Sequence, residues 1–178
     1  MIDCQTIFVK KDVEVLSSGK LVIYRNTPSD TGFASYITFK YEGKTINLLN
    51  VHGKAQPGHK NDTPARLKQS EKIINFFSDM KGPKIIGGDF NLEFNTKSVK
   101  MFEEAGYKNL IKDFGIKTTR NELSWKQFRN TPGFVQQYYA DFCFVSPEVR
   151  VKSFEVPYNE ISDHLPLILD FSLDSARD

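Results

Sequence analysis

Three short stretches place chemically able side chains at the ends of apolar runs: Asp89 and Asn91 in "GGDFN", Asp141 in "YADF", and Ser162, Asp163 and His164 in "SDH". A carboxylate at Asp89 could take a proton from water, and the carboxamide of Asn91 could donate to a phosphoryl oxygen. His164 could stabilise negative charge as an imidazolium if a carboxylate such as Asp141 holds and polarises it. Asp163 is a candidate hard oxygen ligand for a divalent cation, which Asp89 and Asn91 could share. Oxygen, carboxamide and imidazole donors without a thiolate cluster favour magnesium or manganese over zinc. Each stretch also has an ordinary reading. "DFN" can be a turn with Asx capping, and Ser162 with Asp163 can cap another. Asp141 inside an apolar strand is less ordinary, because an unpaired buried carboxylate is costly.

The elements around these residues must bring them together. "QTIFVKKDVEVL" and "LVIYRN" read as strands, and "GFASYITFKYEGKTINLLNVHG" as a hairpin turning at Glu42-Gly43. In its second strand Ile46 and Leu48 share a face with Asn50 and His52, while Leu49 and Val51 point the other way. Apolar residues on both faces suggest a central strand covered on both sides. A helix starts at Thr63, a good N-cap, with Pro64 in its first position. Leu67, Ile73, Ile74, Phe77 and Met80 give it an apolar face, and Gly82 can close it. "KIIGGD" is a short buried strand, and a second helix covers Lys97 to Ala105 with Gly106 as its stop. "SWKQFR" starts or precedes a strand, and "YYADFCFVS" and "LPLILDFSL" are strands. This pattern predicts an α/β sandwich of two facing sheets with helices outside. Strand ends on one rim of a sandwich lie close together, so the polar groups could converge there.

Bulk properties agree with one domain spanning residues 1–178. The chain is 39% hydrophobic and 26% charged, which argues against disorder. A net charge of +2 permits an anionic substrate without demanding one. Cys4 and Cys143 form no motif, Cys143 reads as a small core residue, and a reducing compartment is the default. No apolar run reaches the roughly 20 residues of a membrane span, and no secretory signal is evident, so a soluble cytoplasmic protein is expected.

Candidate substrate contacts lie in two basic segments. Lys54, Lys60, Arg66, Lys68 and Lys72 fall in the first; Arg120, Lys126 and Arg129 mix with Trp125 and Phe128 in the second. Basic groups interleaved with aromatics can follow a nucleic-acid backbone and stack bases, which singles out Lys54, Arg120 and Trp125. The same residues also fit a solvated helix face and a loop.

The ordered set "NVHG", "GGDFN", "SW", "YADF" and "SDHLPL", from about Thr6 to Phe171, resembles the endonuclease/exonuclease/phosphatase superfamily, the deoxyribonuclease I-like proteins. The resemblance implies a four-layered α/β sandwich and magnesium- or manganese-dependent phosphoester hydrolysis. In it Asp89 orients or deprotonates the attacking water, Asn91 grips the phosphate, His164 stabilises the phosphorane-like state, Asp141 is its buried partner and Asp163 is a metal-site residue. His52 matches a second phosphate-contacting histidine, or is an ordinary rim histidine. Trp125 matches a core position, which favours packing over stacking, and "QQYYADF" departs from the abasic-site branch. The family's opening asparagine strand and its Gln-Glu strand, which carries a principal metal ligand, have no counterpart. Neither Glu14 nor Glu42 is a convincing substitute. This implies a sandwich truncated at its N-terminus, with an incomplete metal site and an open sheet edge able to self-associate. The expected activity is that of a phosphodiesterase or nuclease working through an activated water. The alternatives are a phosphatase of a small or lipid phosphate, and a non-catalytic remnant that binds a phosphorylated ligand, nucleic acid or partner.

Overall fold

The computed structural model describes residues 5–24 and 32–173. The apolar runs before "GGDFN" and around it pair edge to edge. β1 (Val15–Val22), β2 (Phe33–Tyr41), β3 (Lys44–His52), β4 (Lys84–Asp89), β5 (Lys108–Asn109) and β6 (Asp141–Val145) form a sheet in the order β1-β2-β3-β4-β6-β5. β2 and β3 are the expected hairpin. Glu42 and Gly43 make its turn with φ of 49° and 74°, the left-handed pair that suits a tight two-residue connection. β3 and β4 are parallel, so the chain must cross over between them, and α1 (Pro64–Ser78) makes that crossing. β7 (Val149–Glu155) and β8 (Ile168–Leu173) pair antiparallel as a second, smaller sheet.

Alternation along the central strands feeds two interiors. On one face Phe90, Phe142 and Phe144 meet Phe102 of α2 (Lys97–Glu104), which stacks on Phe144 at 4.3 Å between ring centroids. Ile73 and Phe77 of α1 are buried in the same core. On the other face Leu48, Asn50, Ile85, Gly87 and Cys143 look across a cleft of about 570 Å³ toward Phe154, Leu167, Leu169 and Phe171 around the small sheet. The outward side chains of that sheet, Arg150, Lys152, Ile168 and Asp170, are exposed. Burial pushes the Cys143 thiol up to about 12, as suits an inert core residue. Cys4 lies outside the described residues. Among the described residues no helix is long and apolar enough to cross a membrane.

Several elements differ from expectation. Residues 5–14 form no strand; pairing with β2 runs unbroken in direction from Val15↔Phe39 to Val22↔Phe33, so one strand replaces the two expected. Arg25 and Asn26 of "LVIYRN" lie outside the described residues. "SWKQFR" does not lead into a strand but spans two 3-10 turns, Glu122–Ser124 and Lys126–Phe128. The first is nucleated by the Asn121 side chain, which accepts from Leu123 N at 3.0 Å. α1 ends at Ser78, and Gly82 acts later, at φ 88°, in the turn into β4. A short helix α3 (Leu110–Asp113) and strand β7 were not anticipated.

Candidate active site

The sheet register builds the centre of the site. His52 pairs with Asp89 across β3 and β4, and Asp89 pairs with Asp141 across β4 and β6. The three therefore stand in one row at the rim. Past Asp89 the chain is gripped from both sides: Gly53 N donates to Asp89 O at 2.6 Å, and Phe90 N donates to Ala140 O at 2.8 Å. The turn that follows is the Asx turn of the ordinary reading. Asn91, at φ 54°, donates its backbone N–H to Asp89 Oδ1 at 2.7 Å and its Nδ2 to Asp89 Oδ2 at 3.2 Å. Here the ordinary and the chemical readings coincide, because the turn fixes the Asp89 carboxylate at the rim.

His164 completes the group. Its Nδ1 lies 2.8 Å from Asp141 Oδ2, which makes Nδ1 the protonated donor and leaves Nε2 facing inward. Nε2 lies 4.0 Å from Asp89 Oδ2 and 3.8 Å from Asp163 Oδ2. His52 Nε2 approaches Asp89 Oδ2 from another side, also at 4.0 Å. The hydrogen bond that His164 donates to Asp141 raises the His164 pKa against the opposing pull of burial, and the Asp141, Asp89 and Asp163 charges add to it. Burial raises the Asp89 pKa, with a further push from the Asp141 charge, while Lys60 and His164 pull the other way.

The loops that carry these groups are fastened by buried polar residues that sequence reasoning did not single out. Thr119 Oγ1 accepts from the backbone N–H groups of Ala140 and Asp141 at 3.1 and 3.2 Å. Its carbonyl accepts from Leu165 N at 2.9 Å, tying the "SDH" segment to β6. Asn121 Nδ2 donates to the carbonyls of Asn159 and Ser162 at 2.6 and 2.7 Å. Ser162 Oγ accepts from His164 N at 3.2 Å, the capping turn expected there. Arg120, between the two anchors, bridges to His164 through the backbone, and its guanidinium lies 3.6 Å from Asp163 Oδ2.

A cleft of about 370 Å³ opens beside this centre, lined by Lys60, Asn91, Arg120, Trp125, Phe128 and Phe134 among others. Of the expected substrate contacts, Arg120 and Trp125 belong to it. Trp125 is 8% exposed and also packs against Tyr138, so core and cleft roles overlap. Lys54 stands apart, its ammonium 5.4 Å from the centre of the Tyr24 ring. The first basic segment is only in part a solvated stripe: Lys68 is exposed and Lys54 and Lys72 are half-buried. Arg66 is fully buried, and Lys60 is buried with its ammonium 2.5 Å from Asn91 Oδ1. Nothing in the spacing of that segment marks either residue.

No family model matches the chain, and no curated protein matches it. Solved structures do. An endonuclease/exonuclease/phosphatase from Bacteroides vulgatus aligns with a TM-score of 0.69 and 22% identity, over 93% of this chain and 68% of its own. The fold is that of the endonuclease/exonuclease/phosphatase proteins. A mannosyl-6-phosphatase from Bacteroides thetaiotaomicron aligns with a TM-score of 0.66 and 19% identity, over 90% of this chain and 67% of its own. TDP2 from D. rerio, complexed with single-strand DNA product, gives 0.67 and 16%, over 90% and 68%. The chain thus spans about two thirds of the length of each of these three structures.

Within this endonuclease/exonuclease/phosphatase fold the fit of a cation can be tested on the donors themselves. Among the described residues no three His, Cys, Asp or Glu side chains are grouped to hold a metal ion. Asp163 is half exposed and faces Arg120, and the Asn91 carbonyl oxygen already accepts from Lys60. Glu14 pairs with Lys40 at 3.5 Å, beside the Val15↔Phe39 step near the hairpin turn, and Glu42 lies in that turn, both far along the sheet from His52. The described residues do not by themselves make a magnesium or manganese centre.

The two glycines of "GGDFN" have different duties in the fold. Gly88 sits at φ 125°, and a Cβ there would fall 2.3 Å from the Val51 carbonyl oxygen. A Cβ on Gly87 would meet nothing closer than the Phe142 oxygen at 3.8 Å. Gly88→Ala is therefore expected to destabilise by about 2 kcal/mol or more and Gly87→Ala by less than about 1 kcal/mol. Denaturant melts of the two variants check this, and equal midpoints would show that β4 has room the backbone geometry denies.

Proposed function

We propose that the chain hydrolyses a phosphoester by direct attack of water, with a phosphodiester as the substrate class. The observation that carries this reading is the 2.8 Å Asp141–His164 pair whose free Nε2 faces Asp89. Ionised Asp89 accepts a proton from water as its oxygen bonds to phosphorus. Protonated His164 faces the charge that grows on the phosphoryl oxygens as the bond to the leaving group breaks; the leaving oxygen takes a proton from solvent water, and Asp89 afterwards returns its proton to solvent. His52 offers a second imidazole to the same carboxylate. Magnesium or manganese, implied by the resemblance in sequence, would supply Lewis-acid charge if bound.

The cleft favours a diester with an apolar or planar leaving group, because aromatic walls and cations line it together. The likeness to TDP2 in complex with a DNA product is consistent with that choice. A phosphatase of a small phosphate is the second reading, favoured by the likeness to a mannosyl-6-phosphatase. Bis(4-nitrophenyl) phosphate and plasmid DNA, compared with 4-nitrophenyl phosphate and with and without magnesium or manganese, separate the two. Diester turnover is expected to exceed monoester turnover, and His164→Gln to reduce it by about a hundredfold or more. Asp141→Asn removes the group that raises His164, so the alkaline limb of the pH profile should move to lower pH. Unchanged turnover in His164→Gln would remove the histidine from the reaction, and no turnover of any ester would leave a binding protein.

A further inference from the structure

Beside Asp89 stand a buried cation, Lys60, and a partly buried one, Arg120, that the reaction above leaves idle. Lys60 is 7% exposed, and the hydrogen bond its ammonium makes among the described residues goes to a neutral amide oxygen, Asn91 Oδ1 at 2.5 Å. The Asp89 and Asp141 carboxylates act on it as counter-charges and Arg66 and Arg120 as like charges, and burial pushes its pKa down. The Arg120 side chain is 13% exposed. Its contact with Asp163, at 3.6 Å, is longer than a hydrogen bond, and its buried Nε has no acceptor among the described residues. Both residues line the same cleft, next to Asn91.

The arrangement also changes what Asn91 can do. Its two amide hydrogens are already engaged, by Gly53 O at 3.0 Å and by Asp89 Oδ2 at 3.2 Å. Asn91 thus has no free donor for a phosphoryl oxygen. Lys60 does: an ammonium has three donors, and one bond to Asn91 leaves two. A buried ammonium beside a partly buried guanidinium, neither fully matched, is costly to hold unless an anion completes the pair. A point charge and a planar fork facing one cavity suit a tetrahedral oxyanion.

We infer that Lys60 and Arg120 form a metal-independent seat for the nonbridging oxygens of phosphate, so that the chain itself supplies positive charge facing the substrate. The inference rests on the proposed hydrolysis only for which phosphate sits there; the seat can be tested by binding alone. Calorimetric titration of the 178-residue chain with inorganic phosphate in excess EDTA is expected to give saturable binding at one site. Lys60→Met and Arg120→Met should each weaken it by about tenfold or more, and Lys60→Arg should restore most of the loss. Thermal melts of the same samples separate lost binding from lost fold, and the measurement on the unaltered chain needs no variant. Binding that appears only when magnesium is added, or that survives unchanged in both folded Met variants, overturns the seat. Phosphate binding in EDTA without ester turnover would sink the hydrolysis and keep the seat. Turnover without EDTA-resistant binding would do the reverse.

Discussion

Asp89→Asn is expected to cut turnover by about a thousandfold while raising the melting temperature at neutral pH. The loss follows from removing the one carboxylate among the described residues that both imidazoles face, at 4.0 Å each. The gain follows from linkage. Burial and the Asp141 charge hold the folded-state pKa of Asp89 above its unfolded value, the reverse of the usual carboxylate case. The folded state therefore binds this proton more tightly. That advantage is fully present below the unfolded pKa and is lost as pH rises through the folded one. At neutral pH ionised Asp89 is a net cost to stability, and asparagine imitates the neutral form. An asparagine carbonyl can keep the 2.7 Å bond from Asn91 N, but its amide cannot accept the 3.2 Å bond from Asn91 Nδ2, which limits the gain to a few degrees. Melts across pH check this: the variant should be the more stable at pH 7, with the difference shrinking toward pH 3. A variant that is less stable at every pH would mean that the turn, rather than the charge, dominates at this position.

Much of the rim was legible because its residues sit at the ends of elements with clear signals. Period-two alternation put Asn50 and His52 on one face of β3, and Thr63 with Pro64 marked where α1 begins; Thr63 Oγ1 does accept from Arg66 N, at 3.2 Å. The order of "GGDFN", "YADF" and "SDH" anticipated a cluster, and the register then supplied the row His52, Asp89, Asp141 that no single chain segment contains. What failed was local pattern without a partner. "QTIFVKKDVEVL" alternates like a strand, but its first ten residues find no strand to pair with, whereas the polar Ser17-Ser18-Gly19 does, opposite Thr38, Ile37 and Tyr36. Tertiary pairing overrides propensity in that segment. Loops have no period at all, so the difference between a half-buried lysine at 54 and a buried one at 60 was not readable from spacing. The basic composition of the segment suggested a nucleic-acid track, whereas its most buried cations face inward.

Arg66 shows how far that difference extends, and Arg66→Met is expected to be the most damaging change away from the reacting atoms. The side chain is fully buried. Its Nε donates to Lys54 O at 3.1 Å, Nη1 to His59 O at 2.5 Å and Asn61 O at 2.7 Å, and Nη2 to Ala55 O at 3.0 Å and Pro57 O at 2.8 Å. A guanidinium has five N–H donors, and all five are used on one loop. That loop joins His52 at the end of β3 to α1 and carries Lys60 into the cleft. Methionine fills a similar volume but satisfies none of the carbonyls. Water can reach some of them, since residues 55–59 are exposed, so the net loss is set at about 3–5 kcal/mol rather than the sum of five bonds. For a domain of this size that lowers the melting temperature by on the order of 10 °C. Lysine should not rescue it, because one ammonium cannot reach carbonyls spread around a planar fork. Hydrogen exchange sharpens the test: amides of residues 53–62 should lose protection before those of β6, and phosphate binding should weaken with them. A variant that melts within a degree or two of the parent, with the loop still protected, would show that backbone and solvent hold the loop without Arg66, and that Lys60 reaches the cleft independently of it.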